Sequence, residues 1–130
     1  EYITIGSTGN ATDFGDLTAA TFVKPGGCSS ATRGLVGGGL VSAAVNTIEY
    51  FTIDSTGDAT DFGDLTVARY YLTGTSSSTR GLFVGGVDGA NNIMDYVTIG
   101  STGNATDFGD LTASPNGNGI SATSSAHGGL

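Results

Sequence analysis

Three near-copies of one segment dominate this sequence: EYITIGSTGNATDFGDLT at residues 1–18, EYFTIDSTGDATDFGDLT at 49–66 and DYVTIGSTGNATDFGDLT at 95–112, at offsets of 48 and then 46 residues. A second block recurs with them, as ATRGLVGGG at 31–39, STRGLFVGG at 78–86 and SAHGGL at 125–130, where the copy is cut off. A period of 20–50 residues marks stacked units, each burying an apolar face against its neighbour. The expectation is one repeat domain over 1–130, with repeats at about 1–48, 49–94 and 95–130, the last truncated. The chain opens in mid-pattern and without a Met, as a fragment or a processed piece would.

Each repeat reads as four short strands. The clearest is 50–53, with 2–5 and 96–99 as its equivalents. Side chains alternate across a strand, so Phe51 and Ile53 share a face, matched by Ile3 and Ile5 and by Val97 and Ile99. That face is apolar in all three copies and is assigned to the core. The turn Ser55-Thr56-Gly57-Asp58 follows, with Gly beside Asp to supply a tight turn. The next strand, 59–65, is anchored by Phe62 and Leu65, as Phe14 with Leu17 and Phe108 with Leu111 anchor its copies. A third strand is expected at about 68–75, with counterparts at 21–28 and 119–123, and a fourth at 81–86, with a counterpart at 34–39. No 3.6-residue apolar period is long enough for a helix, and Gly, with 23 copies, is too frequent for one. The fold class is all-β.

The pattern GLFVGG at 81–86, followed by IMDYVTI at 93–99, resembles kelch-type repeats, in which an apolar strand ends in a double glycine and a Tyr-bearing strand follows about a dozen residues later. The Trp of that family is absent, and Phe14, Phe62 and Phe108 are the aromatic residues available further along each copy. The resemblance implies β-propeller blades of four antiparallel strands. Naming those strands a to d from the axis outward, the chain runs c-d, a-b-c-d, a-b-c-d, a-(b). That makes about three blades, one of them split between the termini. Three are too few to close a ring, since propellers use about four to eight. Two chains would give six, so a homodimer forming a six-bladed ring is expected, each split blade completed by the neighbour. The repeated GSTGNATDFGDLT is also similar to repeats of uncharacterised phage and marine metagenomic proteins, which implies a virion or extracellular-surface context.

Charge and composition exclude several function classes. Four Lys and Arg stand against 12 Asp and Glu, a net charge of −8, which excludes nucleic acid and anionic membrane surfaces as partners. No apolar run approaches the ~18 residues of a membrane span. One Cys excludes an internal disulfide and a cysteine-based zinc site, and one His excludes a multi-histidine metal site. No cofactor is expected. The DFGD pairs Asp13/Asp16, Asp61/Asp64 and Asp107/Asp110 carry the carboxylates that calcium favours, but Asp also serves turns, and a residue present in every copy serves the repeat. Arg33 and Arg80, equivalent in TRGL, are expected to pair with DFGD carboxylates. His127 has no nucleophile motif around it, so no catalytic residue is assigned and the chain is read as no enzyme.

The copies disagree in two sets of loops, which in a propeller emerge on one face: 19–25, 67–71 and 113–119, and 40–46 against 87–92. Divergent loops on one face are where repeat proteins bind. Tyr70, Tyr71, Asp88, Asn91 and Asn92 offer stacking and hydrogen-bonding groups there, suited to a protein or a glycan. The functional expectation is a non-catalytic structural or adhesive propeller making protein or glycan contacts. A propeller lectin is the alternative, and a propeller enzyme or a calcium-binding β-solenoid ranks lower.

Overall fold

The computed structural model describes residues 1–20, 25–88, 91–115 and 120–124. Eight strands form two antiparallel four-stranded sheets, and no helix occurs among the described residues. Sheet one runs β1 (Gly26–Ser29), β2 (Arg33–Gly37), β3 (Thr47–Thr52) and β4 (Thr60–Asp64). Sheet two repeats the order with β5 (Thr73–Ser76), β6 (Arg80–Val84), β7 (Ile93–Thr98) and β8 (Thr106–Asp110). Spatial order follows chain order in both. The hairpin meander is the direct outcome of short alternating runs closed by Gly-rich turns.

Three sequence expectations change. The innermost strands are shorter than 68–75 and 21–28, because Arg69 leaves the ladder to bury its side chain and Tyr70 meets the sheet only through a bridge to Val87. Residues 21–24 and 119 lie outside the described residues, and 120–124 form no strand. In the first copy, the strand at 2–5 is reduced to a single bridge, Tyr2 to Thr12. A two-stranded hairpin with no third strand beside it has too little packing to hold a longer ladder.

The face alternation explains how the sheets stack. On sheet one, Leu35 and Gly37 share a face with their β3 partners Tyr50 and Ile48. On sheet two, Gly81 and Phe83 share a face with Val97 and Asp95. These two faces meet: a Cβ added to Gly37 would sit 2.8 Å from the Phe83 ring, and one added to Gly81 would sit 2.5 Å from the Cys28 Sγ. One cluster of Leu35, Ile48, Phe62, Leu65, Leu72, Phe83, Val97 and Ile99 spans both sheets. The inner strands also touch, with the Ser76 Oγ donating to the Ser29 carbonyl at 2.6 Å.

The face assigned to the core is therefore core in only one copy. Val97 and Ile99 are buried against sheet one, with Ile99 1% exposed, whereas its first-copy equivalent Ile5 is 94% exposed. Phe51 is half-buried, and Ile53 and Ile3 are exposed. The face is apolar in all copies, but burial requires a preceding sheet, and only sheet two has a whole one.

Cys28 occupies the place of Thr75 in the other sheet, opposite Leu35 as Thr75 is opposite Leu82. Burial pushes its thiol up to about 12. Because the thiolate is the reacting form, alkylation by iodoacetamide at mildly alkaline pH is expected to run about a hundredfold or more slower than for a free thiol. Full reactivity should return in denaturant, and an equal rate in the folded chain would show that Cys28 is not held between the sheets.

Candidate functional site

The loop residues singled out by divergence come partly together. Tyr70 and Val87 exchange backbone hydrogen bonds at 3.3 and 2.8 Å, which joins the loop segment of Tyr70 and Tyr71 to that of Val87 and Asp88. The two tyrosine rings lie 5.2 Å apart, tilted by 47°. Tyr71 (φ 59°) and Asp88 (φ 73°) both adopt the left-handed backbone region, which is uncommon for a residue with a side chain. Asp88 is exposed and both tyrosines are half-buried. Asn91 and Asn92 are half-buried beyond residues 89–90, which lie outside the described residues, and the Asn92 carbonyl accepts from the Leu111 amide at 2.7 Å. His127 also lies outside the described residues.

The residues repeated in every copy build something else, a joint between neighbouring units. Each outer strand carries a bulge: Ile48 pairs with Gly63 and Glu49 with Asp61, leaving Phe62 as the extra residue. The bulge points Phe62 into the core. Gly63 takes φ +147°, and a Cβ there would lie 2.5 Å from the backbone of Gly103 in the next unit's turn. Three hydrogen bonds close this joint. The Gly103 amide donates to the Phe62 carbonyl at 2.7 Å, the Ala105 amide to the Asp64 carbonyl at 2.7 Å, and the Asp64 amide to the Asn104 Oδ1 at 3.1 Å. The preceding joint repeats them: Gly57 to Phe14 at 2.7 Å, Ala59 to Asp16 at 2.8 Å, and Asp16 to the Asp58 Oδ1 at 3.1 Å. The DFGD motif is thus a socket and the STG-Asn/Asp turn its plug. Among the described residues, no three Asp, Glu, His or Cys side chains come together as a metal-ligand set.

The expected pairing of Arg33 and Arg80 with DFGD does not occur. Arg33 stacks over Tyr50 at 4.6 Å and its Nη1 donates to the Ile99 carbonyl of sheet two at 3.0 Å. Arg80 stacks over Tyr96 at 4.5 Å in the same pose. A backbone carbonyl across the sheet boundary lies nearer to this arginine position than the outer-strand carboxylates do, and the tyrosine face holds the guanidinium in line with it.

Sequence reasoning missed the strongest polar contact. Arg69 and Asp95 form an ion pair at 2.8 Å with both side chains 0% exposed. The Arg69 Nε also donates to the Gly85 carbonyl at 2.8 Å, and Asp95 accepts from the Thr66 amide at 3.1 Å and hydroxyl at 2.7 Å. Arg69 is the arginine outside the TRGL blocks, which was the available signal. Glu49 stands where Asp95 stands in the next unit and accepts from the amide of Thr18 at 3.0 Å and from its hydroxyl. Burial raises the Glu49 carboxyl above its ordinary value, the Thr18 amide opposes the shift, and the charge of Asp61 adds to it. A carboxyl raised by folding holds its proton more tightly in the folded chain, so stability falls as pH rises from the ordinary carboxylate value through the raised one. Glu49→Gln keeps an acceptor for Thr18 and should flatten urea-midpoint curves across that window; an unchanged slope would assign the dependence to other groups.

The surface at the N-terminal end is the third feature. An apolar cleft of about 770 Å³ opens between residues of the first hairpin, including Ile3, Phe14 and Leu17, and the Val36, Phe51 and Ile53 face of sheet one. Val36 occupies the β2 position that Phe83 occupies in β6, so the cleft lies where the inner strands of a preceding unit would pack. No helix among the described residues is long and apolar enough to cross a membrane. Neither a protein-family profile nor a curated protein matches this chain, which leaves its own geometry as the ground for a function.

Proposed function

We propose that the chain is a non-catalytic, structural or adhesive array of β-propeller blades that makes protein or glycan contacts through its divergent loops. The observation that carries this reading is the division of labour between repeated and divergent residues. Those shared by all copies, DFGD and the STG turn, join one unit to the next. Of the divergent ones, Tyr70 and Tyr71 pair their rings on a segment that the Tyr70–Val87 hydrogen bonds join to the second loop, which carries Asp88. A kelch-like ring of six blades from two chains agrees with the complete units flanked by a part-formed hairpin. The phage-like repeats agree with a virion or surface setting. Fold alone implies no chemistry.

A glycan array and a panel of chromogenic hydrolase substrates test the reading. No turnover is expected, with or without divalent cations, and turnover abolished by a chelator would overturn it in favour of a propeller enzyme. Glycan binding lost in Tyr70→Ala and Tyr71→Ala selects the lectin, in which the tilted pair serves as a stacking platform.

A further inference from the structure

Among the described residues, nothing fills the socket on β8 and nothing takes up the plug of the first turn. At β8 the socket repeats DFGD as Asp107, Phe108, Gly109 and Asp110, yet Phe108 is 50% exposed where its equivalent Phe62 is 2% exposed. A Cβ at Gly63 meets the next turn, whereas one at Gly109 meets nothing within 4 Å. Arg80 holds the pose that lets Arg33 reach Ile99, and its guanidinium donates to no described residue. Leu82 and Met94 on the same face are half-buried, while their equivalents Leu35 and Ile48 are buried. At the other end, the turn around Gly9, Asn10 and Ala11 is exposed, as are Ile3 and Ile5, the equivalents of the buried Val97 and Ile99.

From these two ends we infer that the surfaces bind each other head to tail between two copies of this chain, repeating the internal joint. The inference rests on the reading of the chain as a blade array. Residues 6–18 and 100–112 are identical in sequence, so the free plug has the same residues as the plug that already fills the Asp61–Asp64 socket. In the joint between copies, the Gly9 and Ala11 amides of one chain donate to the Phe108 and Asp110 carbonyls of the other. The Asp110 amide donates to the Asn10 Oδ1. The Arg80 guanidinium donates to the Ile5 carbonyl, and Ile3 and Ile5 cover the open face of sheet two. Asn10 suits a chain of net charge −8, because it supplies the acceptor oxygen without the carboxylate charge that Asp58 brings to the inner joint. Such a contact is heterologous: it uses two different surfaces and closes into a ring only if the rotation permits, otherwise continuing as a filament.

Light scattering on a sizing column tests this with three chains: the wild type, a plug variant (Ile5→Asp with Asn10→Ala) and a socket variant (Phe108→Asp), placed at the half-exposed Phe108 because Gly109, at φ +134°, tolerates no side chain without strain. The wild type should run at about twice its 12.9 kDa monomer mass. Each variant alone should run as a monomer with an unchanged far-UV spectrum. Mixed one to one, the variants should return to two chains, because the intact plug of one meets the intact socket of the other. A contact of like surfaces, plug on plug or socket on socket, would leave one of the two variants dimeric on its own, and that result or a mixture that stays monomeric would overturn the head-to-tail joint. Arg80→Ala, at an exposed side chain, is the second socket variant and should weaken association about tenfold. A wild type that dimerises with all three variants unaffected overturns the joint and leaves the blade array standing. Long open assemblies broken by the same variants support the joint and overturn the six-bladed ring. A monomeric wild type overturns the joint between copies, whatever the loops bind.

Discussion

Arg69→Ala is expected to lower the unfolding free energy by about 3–5 kcal/mol, since breaking one half of a buried pair strands the other charge. The side chain is fully buried and contributes to both ends of one arrangement: the ion pair to Asp95 and hydrogen bonds to the Gly85, Phe83 and Val67 carbonyls. Its own backbone is tied to the β2–β3 loop of sheet one, through the Gly39 amide to its carbonyl at 2.9 Å and its amide to the Val45 carbonyl at 3.2 Å. The residue is thus fastened to one sheet by its main chain and to the other by its side chain. Against a typical total stability of about 5–15 kcal/mol, the loss is large enough to leave a visibly unfolded fraction. Urea titration followed by circular dichroism measures it. Arg69→Met with Asp95→Leu should recover part of the loss, because an apolar pair leaves no stranded charge, although the Thr66 donors then lose their acceptor. A single variant as stable as wild type would show that water reaches Asp95.

Gly74→Val should be comparably damaging, by about 3 kcal/mol, at the upper end of what overpacking costs. A Cβ at Gly74 would fall on the carbonyl oxygen of Gly27 and within 2.6 Å of its carbonyl carbon. The neighbour is main chain in a hydrogen-bonded strand, so no rotamer change relieves the clash and β1 and β5 must separate. The reciprocal position is the control. A Cβ on Gly27 meets only the Leu35 carbonyl, at an ordinary 3.7 Å, so Gly27→Ala should change the urea midpoint little. Equal effects at the two positions would mean that strand propensity, and not the close approach of the two inner strands, sets the cost.

Much of the architecture was legible in the sequence. The repeat offsets, the alternation in EYFTI and the glycine-closed runs place four strands in each complete unit, and β2, β3, β4, β6, β7 and β8 lie at the places those patterns indicate. The inner strands were overextended because local pattern cannot show that Arg69 turns inward: its value comes from Asp95, 26 residues away. The same limit explains Ile3 and Ile5. Their sequence is that of a core strand, but burial is supplied by a neighbouring unit, and alternation carries no information on whether one is present. DFGD was recognised as structural, yet its partner was sought among arginines. Its contacts are backbone amides and a turn side chain, which composition does not distinguish from any other turn. Disagreement between copies singles out these loop residues in the sequence, and only the bridge between Tyr70 and Val87, which no local pattern shows, joins two loops distant in the chain.

The joint between units also bears on how the chain unfolds. When each unit is fastened mainly to its nearest neighbours, total stability approximates a sum of unit terms and boundary terms, as in a one-dimensional array. Within a single, unassociated chain the first hairpin has one bridge of its own and depends on one boundary, through Phe14, Asp16 and Thr18. It should therefore detach before either sheet melts, with its amides exchanging hydrogen faster than those of β3 and β7. Lengthening the array by whole units would raise the melting temperature in steps that shrink as the ends become a smaller share of the molecule. The same dependence would make the ends the seat of adaptation, because a change at a terminal turn alters how many units assemble without disturbing those already packed.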